Sequence, residues 1–216
     1  WEVLDATGAT VALHEGPLAP GSHTTMWSRL AWVRAPVTLE MPPQMLHGPY
    51  HLNLTLLADA AALQSCDLGA LNITSRPRSF DLPTLAYPQQ ADFDAELRLL
   101  GYDFSDSSEA LALTLWWQAQ AAPSHDYKRF VHVLAPSGEI VVQDDAMPRD
   151  WTYPTSWWVA GEVVSETITL AVPPGEYRVG VGWYDGASGI TLPATDDAGA
   201  PWADNRVILD EALLRR

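Results

Sequence analysis

The sequence predicts an all-β protein built from two tandem β-sandwich domains, immunoglobulin-like or jelly-roll-like, of which the first is truncated at its N-terminus. Three observations carry this prediction. Short segments of alternating apolar and polar residues are separated by turns rich in Gly and Pro, no long amphipathic helix is present, and one strand–turn–strand phrase occurs twice. Many short strands with regularly spaced turn residues are typical of β-sandwiches.

The repeated phrase is clearest around a Pro-Pro-Gly turn within residues 170–185. Tyr177 begins an alternating strand there, and Tyr50 begins its counterpart within residues 39–56 after a short insertion. A repeat of this length indicates a duplicated domain rather than a solenoid unit. The match continues over a period of roughly 130 residues and pairs Val3 with Val133, Leu4 with Leu134, Gly8 with Gly138, Val11 with Val141, Trp27 with Trp157, Val37 with Ile168 and Leu39 with Leu170.

The duplication divides the chain. We expect residues 1–75 to form the C-terminal part of a first sandwich, residues 76–92 a Pro-rich, semi-rigid linker, and residues 93–216 a complete second sandwich. Two strand-like segments, 96–104 and 110–120, precede the repeated part of the second copy and have no counterpart ahead of Trp1, and the first residue is not Met. We therefore interpret the chain as a fragment, or a processed product, that begins inside its first domain.

In the first copy, Gly8 supplies the positive φ of a hairpin turn between strands at residues 1–4 and 10–14. The good helix formers of residues 60–63 predict a short helical turn within residues 58–69. After a Pro/Gly/Ser loop at 17–25, we expect the other strands at residues 29–33, 37–41, 50–57 and 71–74.

In the second copy, alternation places Leu111, Leu113, Leu115 and Trp117 on one face of a strand and Trp116 on the other. Residues 211–216 indicate a helical tail. The remaining predicted strands lie at residues 96–104, 127–134, 139–144, 163–164, 167–172, 177–184, 190–192 and 206–209.

The charge and the cysteine content exclude several classes of function. The formal net charge of −15 and the pI near 4.5 argue against nucleic-acid binding and against anionic membrane surfaces, because both require clustered Lys and Arg. Cys66 is the only cysteine, which excludes an intrachain disulfide and a cysteine zinc cluster. No apolar run approaches the roughly 18 residues of a membrane span, so we expect any membrane anchor to lie outside this sequence.

Motifs for hydrolytic or zinc chemistry are weak. The histidines follow no HExxH or HxH pattern, and a G-x-S-x-G elbow is missing. Ser124, His125 and Asp126 are adjacent within one loop, whereas catalytic triads are assembled from separated elements.

Acidic pairs are the candidate metal ligands. Asp144 and Asp145 with Asp150, and Asp196 and Asp197 with Asp204, could each supply oxygen ligands for a structural calcium ion. The alternative is that these loops are simply solvated, as is usual in an acidic chain. The same carboxylates could serve as a glycosidase pair only if they lay a few ångströms apart across a cleft.

Aromatic residues give the most suggestive signal. An exposed Trp face is the usual platform for a sugar in a β-sandwich, and Trp116, Trp151, Tyr153 and Trp158 are the candidate carbohydrate contacts. Packing in the core is the alternative, favoured because Trp27 and Trp157 recur at matching repeat positions. Trp116 and Trp151 are the strongest candidates for exposure.

The second copy also carries a recognisable series of motifs, which lie at residues 99–103, 115–117, 127, 130–134, 154–158, 161–164, 173–177 and 182–185. The series resembles the β-sandwich segments found, often in tandem, at the C-terminal extracytoplasmic end of bacterial multi-span membrane glycosyltransferases of the protein-mannosyltransferase-like class. In that family the catalytic acidic residues lie in the membrane portion, so the resemblance implies a non-catalytic module at the cell surface or in the periplasm, tethered by a region outside this sequence.

Three hypotheses for the function remain. The leading one, which rests on the resemblance, is an accessory module that positions a membrane glycosyltransferase or its acceptor, with a glycan or the membrane domain of the same protein as partner. The second is a carbohydrate-binding module that uses Trp116 and Trp151. The third is a surface or assembly protein whose incomplete first sandwich accepts strands from a neighbouring chain and so self-associates.

Overall fold

A computed structural model describes residues 1–17, 26–29, 32, 34, 36–58, 61–106, 110–173, 175–209 and 214–215. The chain divides into two compact units, unit 1 (Trp1–Pro77) and unit 2 (Arg78–Arg216). Across the described residues the fold is all-β, with three antiparallel sheets. None of the helices in these ranges is long and apolar enough to cross a bilayer.

Unit 1 contains one antiparallel sheet within the part of the chain that the structure describes. Its strands are β1 (Glu2–Leu4), β2 (Thr10–Leu13), β3 (Gly48–Ala58) and β4 (Ala61–Ile73), in the order β2-β1-β3-β4. The core formed by the described residues of unit 1 is small, with Val3, Met45 and Tyr50 as the buried members of its hydrophobic cluster. Half-buried apolar residues pack around them: Val11, Ala12, Leu39, Met41, Leu52, Leu71 and Ile73.

Unit 2 is a sandwich of two five-stranded sheets. The strands are β5 (Tyr87–Phe93), β6 (Leu97–Asp106), β7 (Leu111–Ala119), β8 (Tyr127–Leu134), β9 (Ile140–Ala146), β10 (Val163–Leu170), β11 (Glu176–Asp185), β12 (Ala194–Asp196), β13 (Val207–Ile208) and β14 (Leu214–Arg215). One helical turn (Pro148–Trp151) and two 3-10 turns (Thr155–Trp157 and Ala203–Asn205) lie in the connections. Sheet I has the order β10-β7-β6-β5-β12, and sheet II has the order β13-β11-β8-β9 with β14 paired to β11.

The core of unit 2 lies between the two sheets. Its centre is aromatic: the rings of Trp117 and Trp183 meet edge to face with centres 4.8 Å apart, and Trp158 meets Trp183 at 6.1 Å. Alternation in β7 buries every second residue, as the sequence predicts. The fully buried aliphatic residues include Leu97, Leu99, Leu113 and Leu115 from sheet I and Val131, Val133, Val179 and Val181 from sheet II.

Residues 78–92 differ from the linker predicted for residues 76–92. Arg78 is buried and forms an ion pair with Glu162, and Ser79 accepts a backbone hydrogen bond from Val163 at 2.8 Å. Strand β5 then lies between β6 and β12. The prolines are misleading because Pro88 sits beside a β-bulge, one of the places where a strand tolerates the missing N–H.

Two predicted helical segments are also strands. Residues 61–63 belong to β4, where Ala61 and Ala62 pair with Ala58 and Leu57. Cross-strand pairing outweighs the high helix propensity of alanine here, because propensity is a small preference that tertiary contacts override. In the predicted tail, residues 214–215 pair with β11. The rest of that tail, residues 18–25 of the predicted loop and residues 30, 31 and 33 of the predicted strand lie outside the described residues.

The sequence repeat is reproduced in the strand register. Val3 pairs with Leu52 in unit 1 and Val133 with Val179 in unit 2, which are equivalent positions of the two copies. Both hairpins also contain a β-bulge at the same place, after Val3 and after Val133. The turn glycines are equivalent as well, with φ of 84° at Gly8 and 88° at Gly138. Sheet II is therefore the structural counterpart of the unit 1 sheet.

Residues 37–41, predicted to be a strand, pair with no strand among the residues that the structure describes. Val37, Leu39 and Met41 are half-buried and the residues between them are exposed, so the segment alternates as a strand does. Its counterpart in unit 2 is β10, which pairs with β7 along its whole length. The described residues of unit 1 contain no equivalent of β7, and an extended segment without a partner is not a strand.

Candidate functional site

The four aromatic candidates occupy two different environments. Tyr153 and Trp158 are almost completely buried and contribute to the core of unit 2. The Tyr153 hydroxyl donates to Glu162 and accepts a hydrogen bond from Arg78 at 2.9 Å, and the Trp158 indole donates to the Tyr153 carbonyl at 3.2 Å. Neither ring presents a face to solvent, so both belong to the core rather than to a ligand surface.

Trp116 and Trp151 are more accessible, and they lie in different elements. Trp116 is half-buried on the outer face of β7 in sheet I, where its indole N–H donates to Asp103 Oδ2 at 3.2 Å. Trp151 follows β9, is 52 % exposed and packs beside Lys128 of sheet II. The two tryptophans thus come from separate parts of unit 2, a strand of sheet I and the turn between β9 and β10.

The acidic candidates are not brought together. Asp144 forms an ion pair with the buried Arg129, whereas Asp145 points to the opposite face of β9, 3.9 Å from His132 Nε2. Asp196 accepts the backbone N–H groups of its own turn and Asp197 is exposed. Among the described residues, no three acidic, His or Cys side chains are placed to hold a metal ion.

The outer face of sheet II carries a groove of about 480 Å³, which we call the outer-face groove. Strand alternation directs every second residue of β8, β9 and β11 to this face. Cross-strand pairing then sets Phe130 between Asp145 and Gly182. The lining residues are Phe130, His132, Asp145, Tyr184, Gly189, Thr191, Asp204 and Arg206.

Two glycines in β11 make the floor of the groove possible. A Cβ at Gly182 would overlap the Phe130 ring, and one at Gly180 would overlap the aliphatic part of Arg206. Without those Cβ atoms, both side chains lie close against the β11 backbone. Phe130 also stacks on His132, with ring centres 4.5 Å apart and planes 23° apart. The floor is therefore aromatic.

Polar groups surround this floor. Burial lowers the pKa of His132, and Arg206 lowers it further while Asp145 raises it, so the imidazole is neutral at pH 7. Burial and the neighbouring Asp145 raise the pKa of Tyr184, which keeps its hydroxyl protonated. Arg206 Nη2 lies 3.6 Å from Asp204 Oδ2. The groove thus offers both hydrogen-bond donors and acceptors beside an aromatic surface.

One end of the groove continues into a line of three side chains. Lys128 is the cross-strand neighbour of Tyr184, and its Nζ lies 6.0 Å from the centre of that ring and 4.9 Å from the centre of the Trp151 ring. An ammonium at these distances is attracted to aromatic faces. Lys128 therefore links the exposed Trp151 to Tyr184 in the groove.

The backbone that presents Trp151 is strained. Arg149, Asp150 and Trp151 have φ of 51°, 52° and 67°, a left-handed conformation that costs energy in non-glycine residues. The turn is anchored because the Arg149 N–H donates to the buried Glu166 at 3.2 Å. Strain of this kind concentrates at functional sites, which makes this end of the groove the better candidate for binding.

The arrangement of Ser124 and His125 does not match a hydrolase triad. Ser124 Oγ lies 2.8 Å from His125 Nδ1 and donates to Glu96 at 2.8 Å. In a triad the carboxylate orients the histidine, whereas here it contacts the serine. Ser124 and His125 are exposed, and Glu96 is half-buried.

Sequence reasoning missed most of the groove, since Phe130, His132, Tyr184 and Arg206 come from separate segments. The signal that could have found it is the pair Gly180 and Gly182, which occupy outward positions of an alternating strand. Glycine inside a strand often marks a close approach of other groups to the backbone. No protein-family model matches the chain, and no curated protein sequence is significantly similar to it.

Proposed function

We propose that this chain is a non-catalytic, extracytoplasmic accessory module that binds a glycan along the outer-face groove and so positions a membrane glycosyltransferase or its acceptor. The association with a glycosyltransferase rests on the motif resemblance of the second copy. The binding role rests on one observation. The exposed ring of Trp151 lies beside Lys128, and Lys128 lies beside Tyr184 at the end of a groove with an aromatic floor and a polar rim.

Sugar chemistry fits this combination. A pyranose has an apolar face that stacks on aromatic rings and a rim of hydroxyls that both donate and accept hydrogen bonds. Asp145 and Asp204 accept, while Lys128 and Arg206 donate. The formal net charge of −15 disfavours polyanionic ligands, so the proposal specifies a neutral or weakly charged glycan.

The test is a glycan-array assay on the full chain, repeated with Trp151→Ala and Tyr184→Ala. Trp116→Ala is the matched control, because it removes an indole from the outer face of the other sheet. We expect each of the first two variants to weaken binding by about tenfold or more, as truncation of an aromatic anchor does, and the control to bind as the parent does.

Two outcomes would contradict the proposal. One is the absence of binding to any glycan by the parent protein. The other is an equal loss of affinity in Trp116→Ala, which would move the contact away from the groove. Thermal unfolding of each variant establishes that a lost signal reflects binding and not a loss of folded protein.

A further inference from the structure

The inner face of the unit 1 sheet is incompletely covered. By the repeat, Val3, Leu52, Leu54 and Leu56 correspond to Val133, Val179, Val181 and Trp183 of sheet II, which are all fully buried. Of the four unit 1 residues, Val3 is fully buried, whereas the three leucines are half-buried. The β3–β4 hairpin that carries them also exposes Leu57 and Leu63 by 52 % and 70 %. Exposed leucines grouped on one hairpin mark a candidate interaction surface.

Unit 2 provides the pattern for that partner. There the same face is covered by the three-stranded segment β5–β6–β7, whose Leu97, Leu99, Leu113, Leu115 and Trp117 form the other half of the core. The edge of that sheet is completed by β10, which pairs with β7 from Val163 to Leu170. The described residues of unit 1 include a counterpart of β10, residues 37–41, but none of β5–β7.

We propose that the inner face of unit 1 binds a three-stranded antiparallel β-segment of the same kind as β5–β7, and that its docking converts residues 37–40 into an edge strand equivalent to β10. The alternation already present at Val37 and Leu39 supplies the strand pattern, and the docked segment supplies the missing hydrogen-bond partner. This inference concerns unit 1 and is independent of glycan binding in the groove of unit 2.

Residues 37–41 distinguish between two possible partners of the inner face of unit 1. Two copies of the unit 1 sheet packed face to face would bury the leucines of β3, but such a dimer offers no strand beside Val37 to Glu40. A segment of the β5–β7 type satisfies both features, because in unit 2 it covers the face and pairs with β10. Its face toward unit 1 carries large aliphatic residues at alternate positions, as β7 does.

The test is an extended protein in which a second copy of residues 78–130 is joined directly to Trp1 of the full chain. This junction is set by the repeat, since Val131 corresponds to Trp1 and the natural connection from β7 into β8 is preserved. Amide hydrogen exchange is then compared with that of the parent. We expect exchange at residues 37–40 to slow by about tenfold or more, as pairing in a buried sheet requires, with a similar slowing at residues 52–56.

The matched control carries Leu113→Asn and Leu115→Asn in the added copy only, and it should lose the slowing at residues 37–40. Unchanged exchange at residues 37–40 in the extended protein would overturn the proposal, and so would equal slowing in the control. A parent protein that dimerises and protects residues 52–56 by itself would also overturn it, in favour of self-association. Sedimentation of both proteins reports that outcome.

A second variant changes the inner face of unit 1 itself instead of the added strands. Leu54→Asn should lower the melting temperature of the extended protein by several degrees more than that of the parent, because only docking buries this side chain fully. Equal shifts in the two proteins would contradict the proposal.

Discussion

Single residues in unit 2 show how a polar group is made compatible with the core. Tyr153 places its ring in the core and its hydroxyl against Glu162, which is itself buried and paired with Arg78. Burial, with a further contribution from Glu162, raises the pKa of Tyr153 to about 12. The residue fixes the connection between β9 and β10, which presents Trp151, instead of contacting a ligand.

The Tyr153→Phe variant tests this role through the pH dependence of stability. The folded-state pKa of about 12 lies above the value of 10 for an unburied tyrosine, so the unfolded state loses its proton first and Tyr153 lowers stability as pH rises from 10 to 12. We expect Tyr153→Phe to flatten that decline. At pH 8 it should cost about 1–3 kcal/mol of unfolding free energy, because Glu162 loses a buried partner.

Urea unfolding of both proteins at pH 8 and above pH 10 measures the two effects. A variant as stable as the parent at pH 8, with the same decline in alkali, would contradict the buried hydrogen bond. Glycan binding should survive in the variant because its hydroxyl lies away from the outer-face groove.

At the scale of elements, the two repeated hairpins share one turn geometry. In each, a Gly with φ above 80° follows a bulged strand, and the turn N–H groups bond across it in the same way. A Cβ at Gly8 or Gly138 would meet no atom within 4 Å. The requirement for glycine there is therefore conformational rather than steric.

We expect Gly138→Ala to destabilise unit 2 by about 1–2 kcal/mol, the cost of a left-handed non-glycine residue. Gly138→Asn is the control, because asparagine tolerates this conformation and should cost clearly less. The corresponding pair at Gly8 should follow the same order. Chemical unfolding monitored by Trp fluorescence measures the differences, and equal losses for Ala and Asn would show that the turn is not held in the left-handed region.

At the scale of the whole molecule, the main feature is an excess of negative charge. Acidic residues outnumber Lys and Arg by 27 to 12, and two of the arginines, Arg78 and Arg129, are buried in ion pairs with Glu162, Asp144 and Glu166. The excess negative charge therefore lies on the surface. Self-repulsion of such a surface opposes the compact state, and dissolved salt screens it.

We predict that the melting temperature at pH 7.5 rises by a few degrees as NaCl increases from about 0.02 to about 0.5 M, since the Debye length falls severalfold over that range. Repeating the series near the pI of 4.5 is the control, because the net charge is then close to zero and the salt effect should shrink. A melting temperature that stays constant or falls at pH 7.5 would contradict this account.

The sequence by itself determined the features that depend on near neighbours along the chain. Alternation in Leu111 to Trp117 specified a half-exposed strand, Gly8 and Gly138 specified two equivalent turns, and the repeated Tyr50 and Tyr177 phrases indicated the duplication that the register of Val3 and Val133 reproduces. These features are local because alternation and turn chemistry act over a few residues.

Only the tertiary structure decided which side chains are covered and which segments find a partner. Tyr153 is core while Trp151 is exposed, although both lie in one connection. Ala61 joins a strand because β3 lies beside it, and residues 37–41 stay unpaired because no described strand does. Burial and strand pairing depend on residues distant in sequence, and so does the outer-face groove, whose side chains meet only when β8, β9 and β11 align.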